Sequence, residues 1–128
     1  MGRRKNNRQT GAAYEQAAGA YLESLGYQIL EYNYRCRYGE IDIIAKDKEY
    51  LVFCEVKFRT DLSAGRPEEA VDMRKQRVIS KCALHYITVH GLSYMPCRFD
   101  VAGILGNGKA ETAFSSIKLY KNAFDYRE

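Results

Sequence analysis

Between residues 27 and 59 the chain reads YQILEYNYRCRYGEIDIIAKDKEYLVFCEVKFR. Three runs rich in β-branched and aromatic residues are parted there by the short polar turns CRYG and KDKE. Turns this short fold each run back beside the previous one, so the segment predicts a three-stranded antiparallel meander. The third run, YLVFCEVKF, is apolar at successive positions up to Cys54, the pattern of a central strand covered on both faces. Helical patterns flank the meander. Tyr14, Ala17, Ala18, Tyr21, Leu22 and Leu25 recur at helical spacing, with Thr10 as a cap and Gly26 at the stop position. Val78, Ile79, Cys82, Ala83, Tyr86 and Ile87 predict a second helix from about Asp72 to about Thr88. CRFDVAGIL then reads as a fourth strand, and a strand that re-enters a sheet after a helix makes a right-handed crossover. The expected fold is α/β: a mixed sheet flanked by helices in the order α-β-β-β-α-β. RTDLSAGRP reads as a polar loop, GNG as a turn and KAETAF as a partner strand for the fourth, while IKLYKNAFDYRE fits no single pattern.

A length of 128 residues suits one domain, and 46% hydrophobic with 28% charged residues is ordinary globular usage. The net charge of +4 is concentrated at one end: MGRRKNNR holds Arg3, Arg4, Lys5 and Arg8 and no acid, and without them sixteen cations face sixteen acids. The predicted organisation is a flexible basic arm over residues 1–9 and one domain over 10–128. Such an arm suits phosphate contact, or simply solvates a chain end. Cys36, Cys54, Cys82 and Cys97 form no CxxC and no close pairing with His85 or His90, which argues against zinc. With no apolar signal region or long hydrophobic span, the expectation is a reduced, cytoplasmic protein without a membrane segment.

The charges within the meander point to chemistry. Side chains alternate along a strand, so Glu40 and Asp42 are expected on one face with Ile41 and Ile43 on the other, and Glu55 and Lys57 share a face. Pairing through the KDKE turn makes the acids neighbours, which is unfavourable unless a cation compensates. Lys57 supplies one positive charge; a divalent ion would supply more, since Mg²⁺ takes carboxylate oxygens and leaves other positions to water and phosphate. Glu15, at the edge of the first helix's apolar stripe, offers a third carboxylate. The bland alternatives are an E-x-K charge pair on an exposed sheet face and a half-exposed helix glutamate.

Glu15, Asp42 and the run Glu55-Val56-Lys57 resemble the signature of the PD-(D/E)xK nuclease superfamily, in its Holliday-junction-resolvase-like branch. More closely, AAYEQAAGAYLESLGYQIL, GEIDIIA, FCEVKFR, KQRVI and RFDV resemble the YraN family of bacterial proteins, over residues 11 to about 105. The resemblance implies a restriction-endonuclease-like core and a Mg²⁺- or Mn²⁺-dependent endonuclease that hydrolyses phosphodiester bonds in DNA, including branched DNA. It makes Asp42 and Glu55 the metal carboxylates, with the Val56 carbonyl as a third ligand. Lys57 becomes the group that orients water or stabilises charge, and Glu15 an accessory carboxylate. Lys75 and Gln76 occupy the place of the Lys or Gln with which many superfamily members assist from the second helix. Ile41 stands where a proline often precedes the aspartate, a departure that touches backbone shape and no chemistry.

Arg35, Arg37, Arg59, Arg66, Arg74 and Arg77 fall on turns, loop and helix start around this site, where they and Lys75 could meet phosphates, although scattered arginines are more often ordinary surface. Resolvases of this fold act as dimers, so a homodimer is an open expectation. Two other readings stay open: a nucleic-acid-binding module with weak or partner-dependent catalysis, and a scaffold in which the acids are structural.

Overall fold

The computed structural model describes residues 2–59, 71–106 and 116–128, with backbone alone for residues 2–10. Helix α1 (Gly2–Ser24) leads into strands β1 (Gln28–Cys36), β2 (Gly39–Asp47) and β3 (Tyr50–Arg59). Helix α2 (Met73–His90) follows, then β4 (Cys97–Leu105) and β5 (Ile117–Phe124). Among the described residues the sheet runs in the order β1-β2-β3-β4-β5. Only β3 and β4 are parallel; the other neighbours are antiparallel. The meander and the helical crossover are therefore those expected.

Two details differ from expectation. The first helix begins at Gly2, upstream of the Thr10 cap; residues 2–10 contain no proline to stop it. The strand beside β4 is Ile117–Phe124, drawn from the tail whose sequence was ambiguous. KAETAF, the GNG turn's last two residues and all of RTDLSAGRP except Arg59 lie outside the described residues. The tail's ambiguity has a physical origin: β5 breaks its alternation where Asn122 turns left-handed (φ 54°), beside a register shift between Phe99 and Val101 of β4.

Two cores sandwich the sheet. On one face Tyr14, Ala18 and Leu22 of α1 cover Ile43, Ala45, Val52, Cys54, Ala102 and Ile104, and the Tyr14 ring stacks on Phe58 at 4.4 Å. On the other, Ile79, Cys82, Ala83 and Tyr86 of α2 cover Ile44, Leu51, Phe53, Phe99 and Val101. Leu51, Val52, Phe53 and Cys54 are buried in succession, so β3 is the doubly covered central strand its composition predicts. Each such aliphatic or aromatic side chain contributes about 1.5–3 kcal/mol on burial. Helix α2 is sharply bounded: the Asp72 carboxylate accepts from the Lys75 amide at 2.8 Å, and Gly91 closes the helix at φ 64°. Among the described residues no helix is long and apolar enough to cross a membrane.

Candidate metal centre

The site forms where the meander stops being regular. Strands β2 and β3 pair from Asp47↔Tyr50 to Ile43↔Cys54, and the ladder ends there, one residue short of Asp42 and Glu55. The β3 amide left over is taken by a side chain: Val56 N donates to Asp42 Oδ2 at 2.8 Å. Asp42 thereby closes the open end of the sheet and is held beside Glu55, as predicted from the turn.

The strict alternation expected of β2 fails at this same residue. Ile41 packs in the α2-side core and Ile43 in the α1-side core, although they are two residues apart. In β1, Tyr32 pairs with Ile43 and packs on the α1 side, whereas Tyr34 pairs with Ile41 and packs on the α2 side. Both strands exchange faces at Asn33 and Asp42, which stand opposite each other in this register. Asn33 is in the left-handed region (φ 54°), a conformation that asparagine tolerates far better than β-branched residues do. Glu40, expected beside Asp42, instead faces its cross-strand partner Arg35, with Arg35 Nε 3.4 Å from Glu40 Oε2.

Glu55 is buried, 5% exposed, and its Oε2 lies 3.4 Å from Lys57 Nζ and 3.7 Å from Lys75 Nζ. Two lysines thus converge on one carboxylate, one along β3 and one from the first turn of α2. Among the described residues Asp42 makes no such ion pair. Burial, and next the charge of Glu55, push its carboxyl up to about 7, against the opposing hydrogen bond from Val56 N. Glu15 reaches the same place from α1: its side chain hydrogen-bonds Asn33, and burial, with the charges of Asp42 and Glu40, raises its carboxyl above the ordinary range.

The other expected site residues divide. Lys75, expected at phosphates or as a helix-borne assistant, lies at the carboxylates. Gln76 does not: its Nε2 donates to the Val71 carbonyl at 2.8 Å and its Oε1 accepts from Arg127 Nε at 2.9 Å. Its amide belongs to the tie between the start of α2 and the C-terminal tail, because one residue along a helix turns the side chain by about 100°. Arg35 is paired with Glu40, Arg37 Nη2 donates to Tyr38 Oη at 2.8 Å, and Arg59 ends β3 opposite Leu105. Arg66 lies outside the described residues. Asn33 was not anticipated; the one signal for it is a polar, strand-averse residue in the middle of YQILEYNYR.

Among the described residues no three His, Cys, Asp or Glu side chains form a metal-holding group by themselves. What is gathered is a pair of carboxylates, one of them carrying repulsion that a cation would relieve. Hard oxygen donors in this number fit Mg²⁺ or Mn²⁺, which are held by one or two carboxylates with water and phosphate completing the shell. Zinc, which prefers nitrogen and sulfur, does not fit.

The residues that make this site fall within a stretch with known relatives. Residues 14–104 match the family described as "Uncharacterised protein family UPF0102". The chain belongs to this family. A UPF0102 protein of Lachnoclostridium phytofermentans is 50% identical over 121 residues, covering 94% of this chain and 96% of the relative. UPF0102 proteins of Syntrophus aciditrophicus and Clostridium botulinum are each 46% identical, over 96% and 92% of this chain and 94% and 95% of their own lengths. The UPF0102 match contains Glu15, Asn33, Asp42, Glu55, Lys57 and Lys75, and it bears out the YraN-family resemblance in the sequence.

Proposed function

We propose that this UPF0102 protein is a metal-dependent endonuclease that hydrolyses phosphodiester bonds in DNA in the cytoplasm, branched or otherwise structured DNA included. The observation that carries the reading is the apposition of Asp42 and Glu55 at the open end of the β2–β3 ladder, with Lys57 and Lys75 converging on the same spot. Asp42, Glu55 and the Val56 carbonyl would hold Mg²⁺ or Mn²⁺; a bound ion of this kind polarises a phosphate and lowers the pKa of a bound water. The chain's own groups supply the rest. The Val56 amide fixes the Asp42 carboxylate, and Lys57 can orient the attacking water or stabilise charge developing on the phosphate. Lys75 adds a second cation on the α2 side, and Asn33 steadies Glu15 as the accessory carboxylate. Paired cuts would need two copies of the chain.

A second reading is a nucleic-acid-binding module with weak or partner-dependent catalysis, favoured by the gathering of two carboxylates and no third metal-holding side chain among the described residues. Incubation with Mg²⁺ or Mn²⁺ and linear, flapped, gapped and four-way DNA separates the two. Cleavage is expected from wild type, with a loss of about a hundredfold or more in Asp42→Ala, Glu55→Ala and Lys57→Ala. Cleavage that persists in all three variants would sink the assignment. Salt-dependent binding without cleavage, unaffected by those changes, would establish the module.

A further inference from the structure

One cavity lies apart from the carboxylates. It has a volume of about 480 Å³ and is lined by Tyr38, Lys81, Leu84, His85 and Thr88, between the β1–β2 turn and the outer side of α2. Tyr38 is 39% exposed at its centre. The Arg37 guanidinium lies 5.0 Å from the Tyr38 ring centroid and the Lys81 ammonium 6.0 Å, while the His85 ring meets it edge to face at 6.4 Å. His85 is itself fixed, its Nδ1 sharing a 2.6 Å hydrogen bond with Tyr34 Oη. An exposed aromatic ring with two long, flexible cationic side chains over it, and Leu84 in the same lining, is suited to a flat, electron-rich ring attached to a phosphate.

A cationic path joins this cavity to the carboxylates. Helix α2 carries Arg74, Lys75, Arg77 and Lys81 and no acid. Arg74, Arg77, Lys81, Leu84 and Thr88 recur at spacings of three and four and are all exposed, so they form one stripe along the helix. The stripe starts beside Lys75, which touches Glu55, and ends at the Tyr38 cavity. The turn is locked against the helix between these points: a Cβ on Gly39 would stand 2.6 Å from Val78 Cγ1. At 1.5 Å per residue, Lys75 to His85 spans about 15 Å, roughly four nucleotides of stacked strand.

We propose that Tyr38 is the stacking platform for an unpaired base of a DNA strand whose backbone follows Lys81 and Arg77 toward Asp42 and Glu55. The substrate would then be DNA with a single-stranded segment next to the scissile phosphate, a flap, gap or junction arm, in preference to a blunt duplex, whose bases cannot leave the stack without cost. The link to cleavage rests on the endonuclease reading; the base subsite itself does not need it.

The test measures binding in EDTA, so that no metal chemistry enters, using labelled single-stranded DNA, a blunt duplex of the same sequence, and a strand carrying 2-aminopurine. Wild type is expected to prefer the single strand and to quench 2-aminopurine fluorescence through stacking. Tyr38→Ala is expected to bind about tenfold more weakly and to lose the quenching, while Tyr38→Phe keeps both. Lys81→Ala is expected to weaken binding, lower the salt slope by about one and leave the quenching in place. Thermal unfolding of each variant confirms that this exposed position leaves the fold intact. Equal binding and quenching by wild type and Tyr38→Ala would overturn the subsite without touching the hydrolase reading. Tyr38-dependent quenching by a protein that cuts no substrate would keep the subsite and overturn the hydrolase. A wild type that binds no single strand would overturn the subsite.

Discussion

Two buried carboxylate clusters lie on the same sheet and are built in opposite ways. Around Asp100, which has no exposed surface, every direction is answered. Arg98 Nε and Nη2 donate at 2.9 and 3.0 Å, Tyr27 Oη at 3.0 Å and the Asn122 amide at 2.9 Å. Arg98 also reaches Asp47 Oδ2 at 3.0 Å, so one guanidinium ties β4 to the β2–β3 hairpin, and Tyr27 ties in the end of α1. Around Asp42 and Glu55 both lysines sit on Glu55, and Asp42 has a backbone amide and a neighbouring negative charge. A charge cluster that closes on itself holds a fold together. One in which two carboxylates repel each other at the end of a strand ladder would be relieved by the cation proposed above.

The contrast can be broken first at the closed cluster. Asp100→Ala leaves the part-buried Arg98 with Asp47 as its remaining carboxylate partner among the described residues, and it should cost about 3–5 kcal/mol in urea unfolding. A cost near zero would mean that the cluster is not structural. The open cluster should respond with the opposite sign. A carboxyl raised from 3.8 to about 7 binds its proton more tightly in the folded chain, so stability falls as pH rises between those values and stays low above them. Asp42→Asn, which keeps an acceptor for Val56 N, should therefore stabilise the metal-free protein at pH 8 by about 2–4 kcal/mol, with the gain vanishing below about pH 4. A loss of stability at pH 8 would show that Asp42 is paid for like Asp100.

Divalent ions supply the next, smaller effect. Mn²⁺ at a hundred times its dissociation constant should stabilise wild type by about 2.7 kcal/mol in thermal unfolding, and Asp42→Asn or Glu55→Gln by much less. Because the ion competes with a proton at Asp42, its affinity should climb as pH rises through about 7 and flatten above. An equal response from wild type and both variants would place the ion elsewhere. The smallest effect belongs to the rim of the closed cluster. Lys121 Nζ lies 3.8 Å from Asp47 with a 56% exposed side chain, and Lys121→Ala should change stability by less than about 1 kcal/mol.

Local pattern determined much of this architecture. Alternating and continuous apolar runs, short turns and one helical crossover specify the meander, both helices and β4, because each depends on residues close together in the chain. Pairing through the KDKE turn brought Asp42 next to Glu55, and alternation along β3 put Lys57 beside Glu55. Three things were set only by tertiary structure. Asn33 in β1 turns left-handed opposite Asp42, so both strands change faces there, and Ile41 and Ile43 part company despite their spacing. The first turn of α2 chooses between two neighbouring residues, sending Lys75 to Glu55 and Gln76 to Arg127. Strand β5 reaches the sheet by pairing with β4 across a bulge. The physical reason is common to all three: a strand's face, a helix's rotation and an edge strand's partner are fixed by what packs against them, and those partners lie far away in sequence.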